Sequence, residues 1–162
     1  MILGMSVSTF TLVHVLLSLI GIFAGFVVVY GFLKGRLLNG WNGLFLATTV
    51  LTSVTGFLFH STQFGPPHFV GIISLVLLGF SVAALYAFDL AGPWRWIYAA
   101  TATLALYLNV FVGVVQAFQK VSVLQALAPT QSEPPFAIAQ GIVLVIFLAL
   151  TVLSSKRLRP VP

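Results

Sequence analysis

Five apolar segments, each about as long as a lipid bilayer is thick, constrain this chain more than any other feature of its sequence. A helix needs roughly 20 mainly apolar residues to cross the hydrocarbon core, because about 30 Å is covered at about 1.5 Å per residue. The segments that meet this requirement are 10–33, 41–60, 68–90, 96–118 and 136–154. The sequence therefore predicts an all-α, up-and-down bundle of five transmembrane helices, a single domain over 1–162, with an outer loop over 119–135.

Composition favours lipid as the main partner of the chain. The sequence is 60% hydrophobic and 6% charged, whereas an average soluble domain has roughly 25% charged residues. A soluble protein of this size could not hide so much apolar surface. The net charge of +5 does not indicate nucleic-acid binding, because the basic residues lie in short clusters beside apolar runs.

The second segment is the most polar, since it contains Thr48, Thr49, Thr52, Ser53 and Thr55. The distribution of Lys and Arg indicates that it nevertheless crosses, because cytoplasmic loops carry the excess of these residues. With five crossings, Lys120 is alone on one side, and the other side holds Lys34, Arg36, Arg95, Lys156, Arg157 and Arg159. Without the second crossing, the split becomes three against four. We therefore predict a cytoplasmic (inner) membrane protein with its N-terminus outside and its C-terminus in the cytoplasm.

All three histidines fall near the outer face of the predicted bundle, at the ends of the first three segments. In the first segment, residues at helical spacing form a stripe of His14, Ser18, Gly21 and Gly25. A matching stripe in the second segment contains Thr49, Ser53, Gly56 and His60. Small residues permit close helix approach in lipid, so both stripes predict packing faces with a histidine at the outer end. His68 begins the third segment and is joined to His60 by a short loop.

A third polar stripe, in the fourth segment, completes a predicted outward-opening pocket. It contains Asn109, Gly113, Gln116 and Lys120, and the loop that follows brings Glu133 to the same side. Imidazole is the commonest neutral metal ligand, so we predict a metal site formed by His14, His60, His68 and Glu133. Asn109, Gln116 and Lys120 are the predicted cofactor-binding residues. The predicted ligand is a metal ion, a haem or a quinone, whose carbonyl oxygens would accept hydrogen bonds from these donors.

Most of these residues also have an ordinary structural explanation. An interfacial histidine such as His60 or His68 needs no special role, and Lys120 can extend its ammonium group to the headgroups. Asn109 and Gln116 can simply hydrogen-bond to neighbouring helices. None of the tightly spaced motifs typical of metal sites occurs.

Three functional hypotheses follow, all for a membrane protein. In the first, the outer pocket gives the chain a redox, electron-transport or metal-handling role. In the second, the chain is a non-catalytic structural or assembly subunit that contacts other membrane-protein subunits. A transporter is the least supported, since no segment is interrupted by proline. Hydrolytic and group-transfer enzymes are disfavoured, because the only carboxylates, Asp89 and Glu133, are predicted on opposite sides.

Overall fold

The computed structural model describes residues 1–158; Arg159, which counts toward the predicted inner charge, lies outside the described residues. In this part of the chain no β-strand forms, which confirms the all-α prediction. The helices are α1 (Val7–Leu33), α2 (Asn39–Gly56), α3 (Pro66–Val82), α4 (Trp94–Lys120), α5 (Ser122–Leu127) and α6 (Pro134–Arg157). Helix α3 continues into a π-helical turn, Ala83–Ala87.

Local chemistry explains where several helices begin and end. The Ser6 hydroxyl accepts a hydrogen bond from the Thr9 amide at 3.1 Å and caps the start of α1. Helices α3 and α6 both begin with a proline, whose missing amide hydrogen is harmless in the first turn. After α1, Gly35 adopts a φ of 68°, which a residue without a side chain does most readily, and the chain reverses there.

Four helices are long and apolar enough to cross a membrane: α1, α3 with its π turn, α4 and α6. They mark the chain as a membrane-embedded protein in contact with lipid. Helix α2 is not among the four, since its 18 residues include two asparagines and five hydroxyl side chains. It ends at Gly56, four residues before the predicted end, and hydrogen-bonded turns carry the chain on to Leu58.

Helix α2 runs antiparallel to α1 over its whole length. Near its start, Phe45 lies against Gly25, and one turn later Thr49 lies against Gly21. Near its end, Thr55 hydrogen-bonds to His14. Advancing along α2 therefore means moving back along α1. Gly21 and Gly25 of the predicted α1 stripe pack against α2, and Thr49 and Gly56 of the predicted α2 stripe face α1. His60, the predicted outer end of the α2 stripe, is exposed beyond the helix and is not part of this face.

The remaining helices alternate in direction in the same way. Helix α4 runs antiparallel to α1, because Tyr98 contacts Phe32 and Asn109 contacts Ser18. Helix α6 runs antiparallel to α4, with Phe136 against Phe118 and Phe147 against Tyr107. One end of the bundle, here called the basic end, contains Lys34, Arg36, Arg95, Lys156 and Arg157. The opposite end, here called the histidine end, contains His14, His60, His68 and Lys120.

The core lies between α1, α2, α3 and α4, and α6 lies at its edge. Phe32, Phe45, Tyr98 and Leu106 are fully buried in this core. Only 6% of the apolar stretch of α6 is buried within the chain. Its outward side chains, such as Ile142 and Val145, are the ones that lipid would cover.

The closest packing in the core predicts a strong effect of Gly25→Ala. An added Cβ would lie 2.6 Å from Leu106 Cδ1 and 3.0 Å from the Phe45 ring. Overpacking of this kind typically costs about 1–3 kcal/mol, more than the gain of about 1 kcal/mol in helix propensity. We expect the free energy of unfolding in detergent to fall. Gly79→Ala is the control, because outside its own local backbone no described atom lies within 4 Å of its added Cβ, and it should be neutral or stabilising. Equal effects of the two variants would contradict this packing.

Candidate functional site

His14 faces the bundle interior and pairs with α2. Its Nδ1 lies 2.8 Å from Thr55 Oγ1. The Thr55 hydroxyl donates its single hydrogen to the Leu51 carbonyl at 2.7 Å, so toward the imidazole it can only accept. His14 therefore carries its hydrogen on Nδ1 and keeps a lone pair on Nε2. The edge of the ring packs against Phe59, with the ring centroids 5.1 Å apart.

His68 is used differently, in fixing the loop before α3. Its Nδ1 accepts a hydrogen bond from the Gly65 amide at 3.1 Å, so its hydrogen is on Nε2. That Nε2 lies 3.0 Å from Ser61 Oγ, to which it donates. Both ring nitrogens are thus engaged, and the ring also stacks on Phe64 at 4.8 Å. His68 completes one half of a capping box and has no free lone pair for a metal.

Glu133 also bonds within its own loop. Its carboxylate accepts hydrogen bonds from the Thr130 hydroxyl at 2.8 Å and from the Thr130 and Ser132 amides. The Thr130 hydroxyl, followed by these amides, holds the pKa of the carboxyl below its ordinary value. Glu133 therefore stays charged at neutral pH, and the loop loses these bonds only as the pH falls through that lowered pKa.

The predicted metal ligands do not come together. His60 is exposed on the loop after α2. Residues 1–158 include every histidine and carboxylate side chain of the sequence, and no three of them lie close enough to hold a metal ion. Local hydrogen bonds explain this separation. His14 bonds to α2, whereas His68 and Glu133 bond to the backbone of their own loops.

The predicted cofactor-binding residues are likewise separated. Asn109 is buried, and its Oδ1 accepts a hydrogen bond from the Ser18 hydroxyl of α1 at 2.8 Å. Gln116 and Lys120, further along the same stripe of α4, are exposed. Asn109 alone enters the bundle, because α1 covers the stripe near its deeper end.

Together these contacts form a polar seam between α1, α2 and α4, made of His14, Ser18, Thr49, Thr55 and Asn109. Gly21 lies at its centre, where an added Cβ would be 3.0 Å from Thr49 Oγ1 and 3.3 Å from Asn109 Nδ2. The Thr49 hydroxyl is buried and has no hydrogen-bond partner among the described residues. The seam supplies hydrogen bonds between helices, which is the usual use of such groups in membranes.

Sequence reasoning missed a second polar contact, at the basic end. Asn42 and Tyr98 are fully buried, and the Tyr98 hydroxyl donates a hydrogen bond to Asn42 Oδ1. Asn42 Nδ2 in turn donates to the Leu38 carbonyl at 2.8 Å. Both residues lie about one turn inside their helices at the same end. The sequence feature that could have predicted this pair is that both residues lie at the same distance from the basic end of the bundle.

Two clefts open at the basic end, whereas the predicted pocket was to open at the histidine end. One, of about 360 Å³, is lined by Leu33, Lys34, Gly35, Lys156 and Arg157. The other, of about 430 Å³, is lined by Leu37, Asn39, Leu85, Tyr86, Asp89 and Leu90. The charged groups available to a ligand in these clefts are therefore on the side opposite the histidines.

The His14–Thr55 bond predicts a measurable coupling between α1 and α2. In a double-mutant cycle of His14→Ala and Thr55→Val, we expect a coupling energy of about 0.6 kcal/mol, the average for hydrogen bonds between membrane helices. Unfolding in detergent mixtures would measure it. Thr52→Val is the control, because the Thr52 hydroxyl donates to the Thr48 carbonyl of its own helix. A coupling of His14 to Thr52 as large as that to Thr55 would rule out the pairing.

Comparison of the chain with protein families, curated proteins and solved structures found no match. The function therefore has to be inferred from the chain's own residues.

Proposed function

We propose that this chain is a non-catalytic integral membrane protein that crosses the bilayer five times and serves as a structural or assembly subunit of a larger membrane complex. In this proposal its outer loop, residues 119–135, is the contact surface for the partner. The single observation that carries the proposal is that three polar contacts in the bundle, His14–Thr55, Ser18–Asn109 and Asn42–Tyr98, join helices to one another.

The proposal of a fifth crossing rests on the position of α2. Its 18 residues span about 27 Å, slightly less than the roughly 30 Å of a hydrocarbon core. The turns that follow extend it to Phe59, which packs on Phe10 near the start of α1. The hydroxyls of Thr48, Thr52 and Thr55 donate to backbone carbonyls of α2 itself, which lowers the cost of burying them in lipid.

The proposed orientation rests on charge. All the described Lys and Arg side chains except Lys120 lie at the basic end, which is the pattern of a cytoplasmic face. In this proposal the N-terminus and the outer loop lie outside, and the C-terminus lies on the cytoplasmic side of the inner membrane.

The outer loop is suited to a docking role because hydrogen bonds hold it in place and α5 exposes apolar side chains on it. Gln131 donates to the Val115 carbonyl at 3.1 Å and ties the loop to α4, and Glu133 holds Thr130 and Ser132. Helix α5, the short interfacial helix of this loop, exposes Val123 and Leu127. A loop held in one conformation loses little entropy when a partner binds.

The redox or metal-handling hypothesis is the weaker one. A metal or haem would find a free imidazole lone pair on His14 Nε2, but His68 would first have to release the Gly65 amide and Ser61. A quinone would have to displace Ser18 from Asn109. Each of these steps breaks an existing hydrogen bond, whereas docking at the outer loop breaks none.

Photocrosslinking tests the proposed contact surface. A photoreactive residue at Val123 in native membranes should give one discrete protein adduct, since that side chain is 68% exposed on α5. The adduct should be an integral membrane protein that also co-migrates with this chain in mild detergent.

Val145 is the matched control, with a 67% exposed side chain in the middle of α6. There we expect adducts with lipid alone. Lipid adducts alone at both valines would contradict the proposed partner surface, and so would a protein adduct that does not co-migrate.

A further inference from the structure

The cleft of about 360 Å³ at the basic end brings together the last turns of two helices that are far apart in sequence. Helix α1 ends at Leu33 and α6 ends at Arg157, and an Arg157 guanidinium N–H donates to the Leu33 carbonyl across 3.5 Å. Lys34 and Lys156 flank this contact. The cleft is therefore a built feature of the bundle, formed where α1 and α6 run side by side.

The electrostatics of this cleft favour an anion. Among residues 1–158, its lining has three cationic side chains and no carboxylate. Two helix C-termini also point into it, and each contributes about −0.5 of an elementary charge. The sum is about +2, so the cationic side chains outweigh the helix dipoles. The guanidinium group of Arg157 has further N–H donors beyond the one directed at Leu33, and phosphate oxygens are the acceptors that such a fork matches.

The surroundings of the cleft indicate an anion with an apolar tail. Leu33 forms its apolar floor, and the exposed faces of α1 and α6 extend from it toward the middle of the bundle. Tyr30 and Leu153, roughly one turn away, are both exposed along those faces. A phosphate held by the three cations would thus leave its acyl chains free to lie along apolar helix surface. A soluble phosphate would gain nothing from that surface.

We propose that the cleft formed by Leu33, Lys34, Gly35, Lys156 and Arg157 binds the phosphodiester headgroup of an anionic phospholipid. Arg157 and the two lysines contact the phosphate oxygens, and the acyl chains pack beside α1 and α6. Basic pockets between helices at a cytoplasmic face are suited to this class of lipid. This site requires only that the chain be embedded in a membrane, so it stands or falls independently of any protein partner.

The test is lipid retention by the purified full-length chain in detergent, measured by native mass spectrometry. Phosphatidylglycerol and phosphatidylcholine with identical acyl chains would be offered in equal amounts, and we expect phosphatidylglycerol to be retained preferentially. Lys34→Gln should weaken its binding roughly fivefold, and Lys34→Gln with Arg157→Gln roughly 25-fold, as about 1 kcal/mol per basic residue predicts. Arg157→Lys keeps the charge but lacks the guanidinium fork, so its binding should lie between that of the unmodified chain and that of the double variant, which separates loss of charge from loss of fold.

Lys120→Gln is the matched control, because it removes the same charge at the histidine end. Its lipid retention should equal that of the unmodified chain. Equal retention of the two lipids, or an equal loss in Lys120→Gln and Lys34→Gln, would overturn the proposal. Displacement of the lipid by inorganic phosphate would overturn it too, since the ligand would then be a free anion.

Discussion

Helix α2 is the one long helix among the described residues that lacks an apolar stretch sufficient to cross a membrane, and its packing against α1 and α4 brings its polar side chains into the bundle. The contact depends on Gly21 and Gly25, which let α1 approach closely enough for the side chains of Thr49 and Phe45 to meet its backbone. Once the helices are this close, His14 reaches Thr55 and Ser18 reaches Asn109. In lipid, unpaired polar groups are expensive, so packing and hydrogen bonding support each other at this interface.

The same arrangement divides the chain into two chemically different ends. The histidine end presents aromatic rings, the ordered outer loop and one lysine, Lys120. The basic end presents the cationic cleft where α1 and α6 terminate. A partner protein is proposed at the first and an anionic lipid at the second. The proposed protein contact relies on apolar side chains, and the proposed lipid contact relies on charge. This difference arises because nearly all the charged residues lie on one side.

Much of the fold was predictable from sequence, because hydrophobic length gives the depth of each residue in a bilayer. The four apolar helices lie where the segments were predicted, and the small residues of α1 do face α2 and α4. The second segment was predicted to end at His60, but α2 ends at Gly56. Hydropathy cannot distinguish the helix from the turns that follow it. The site was much less predictable. The positions of the three histidines along the apolar segments predict that they lie at one end of the bundle. The orientation of each ring, however, depends on its nearest hydrogen-bond partner. For His68 that partner is the Gly65 amide.

The two opposite ends of the bundle exist only if α2 crosses the membrane. The chain contains no cysteine, so single cysteines can be introduced at Asn39, the first residue of α2, and at Thr62, in the loop after it. Labelling intact cells with a membrane-impermeant maleimide should modify Thr62→Cys and leave Asn39→Cys unmodified until the membrane is opened. If both cysteines react from the same side, α2 does not cross, and the five-crossing bundle with its opposite ends is contradicted.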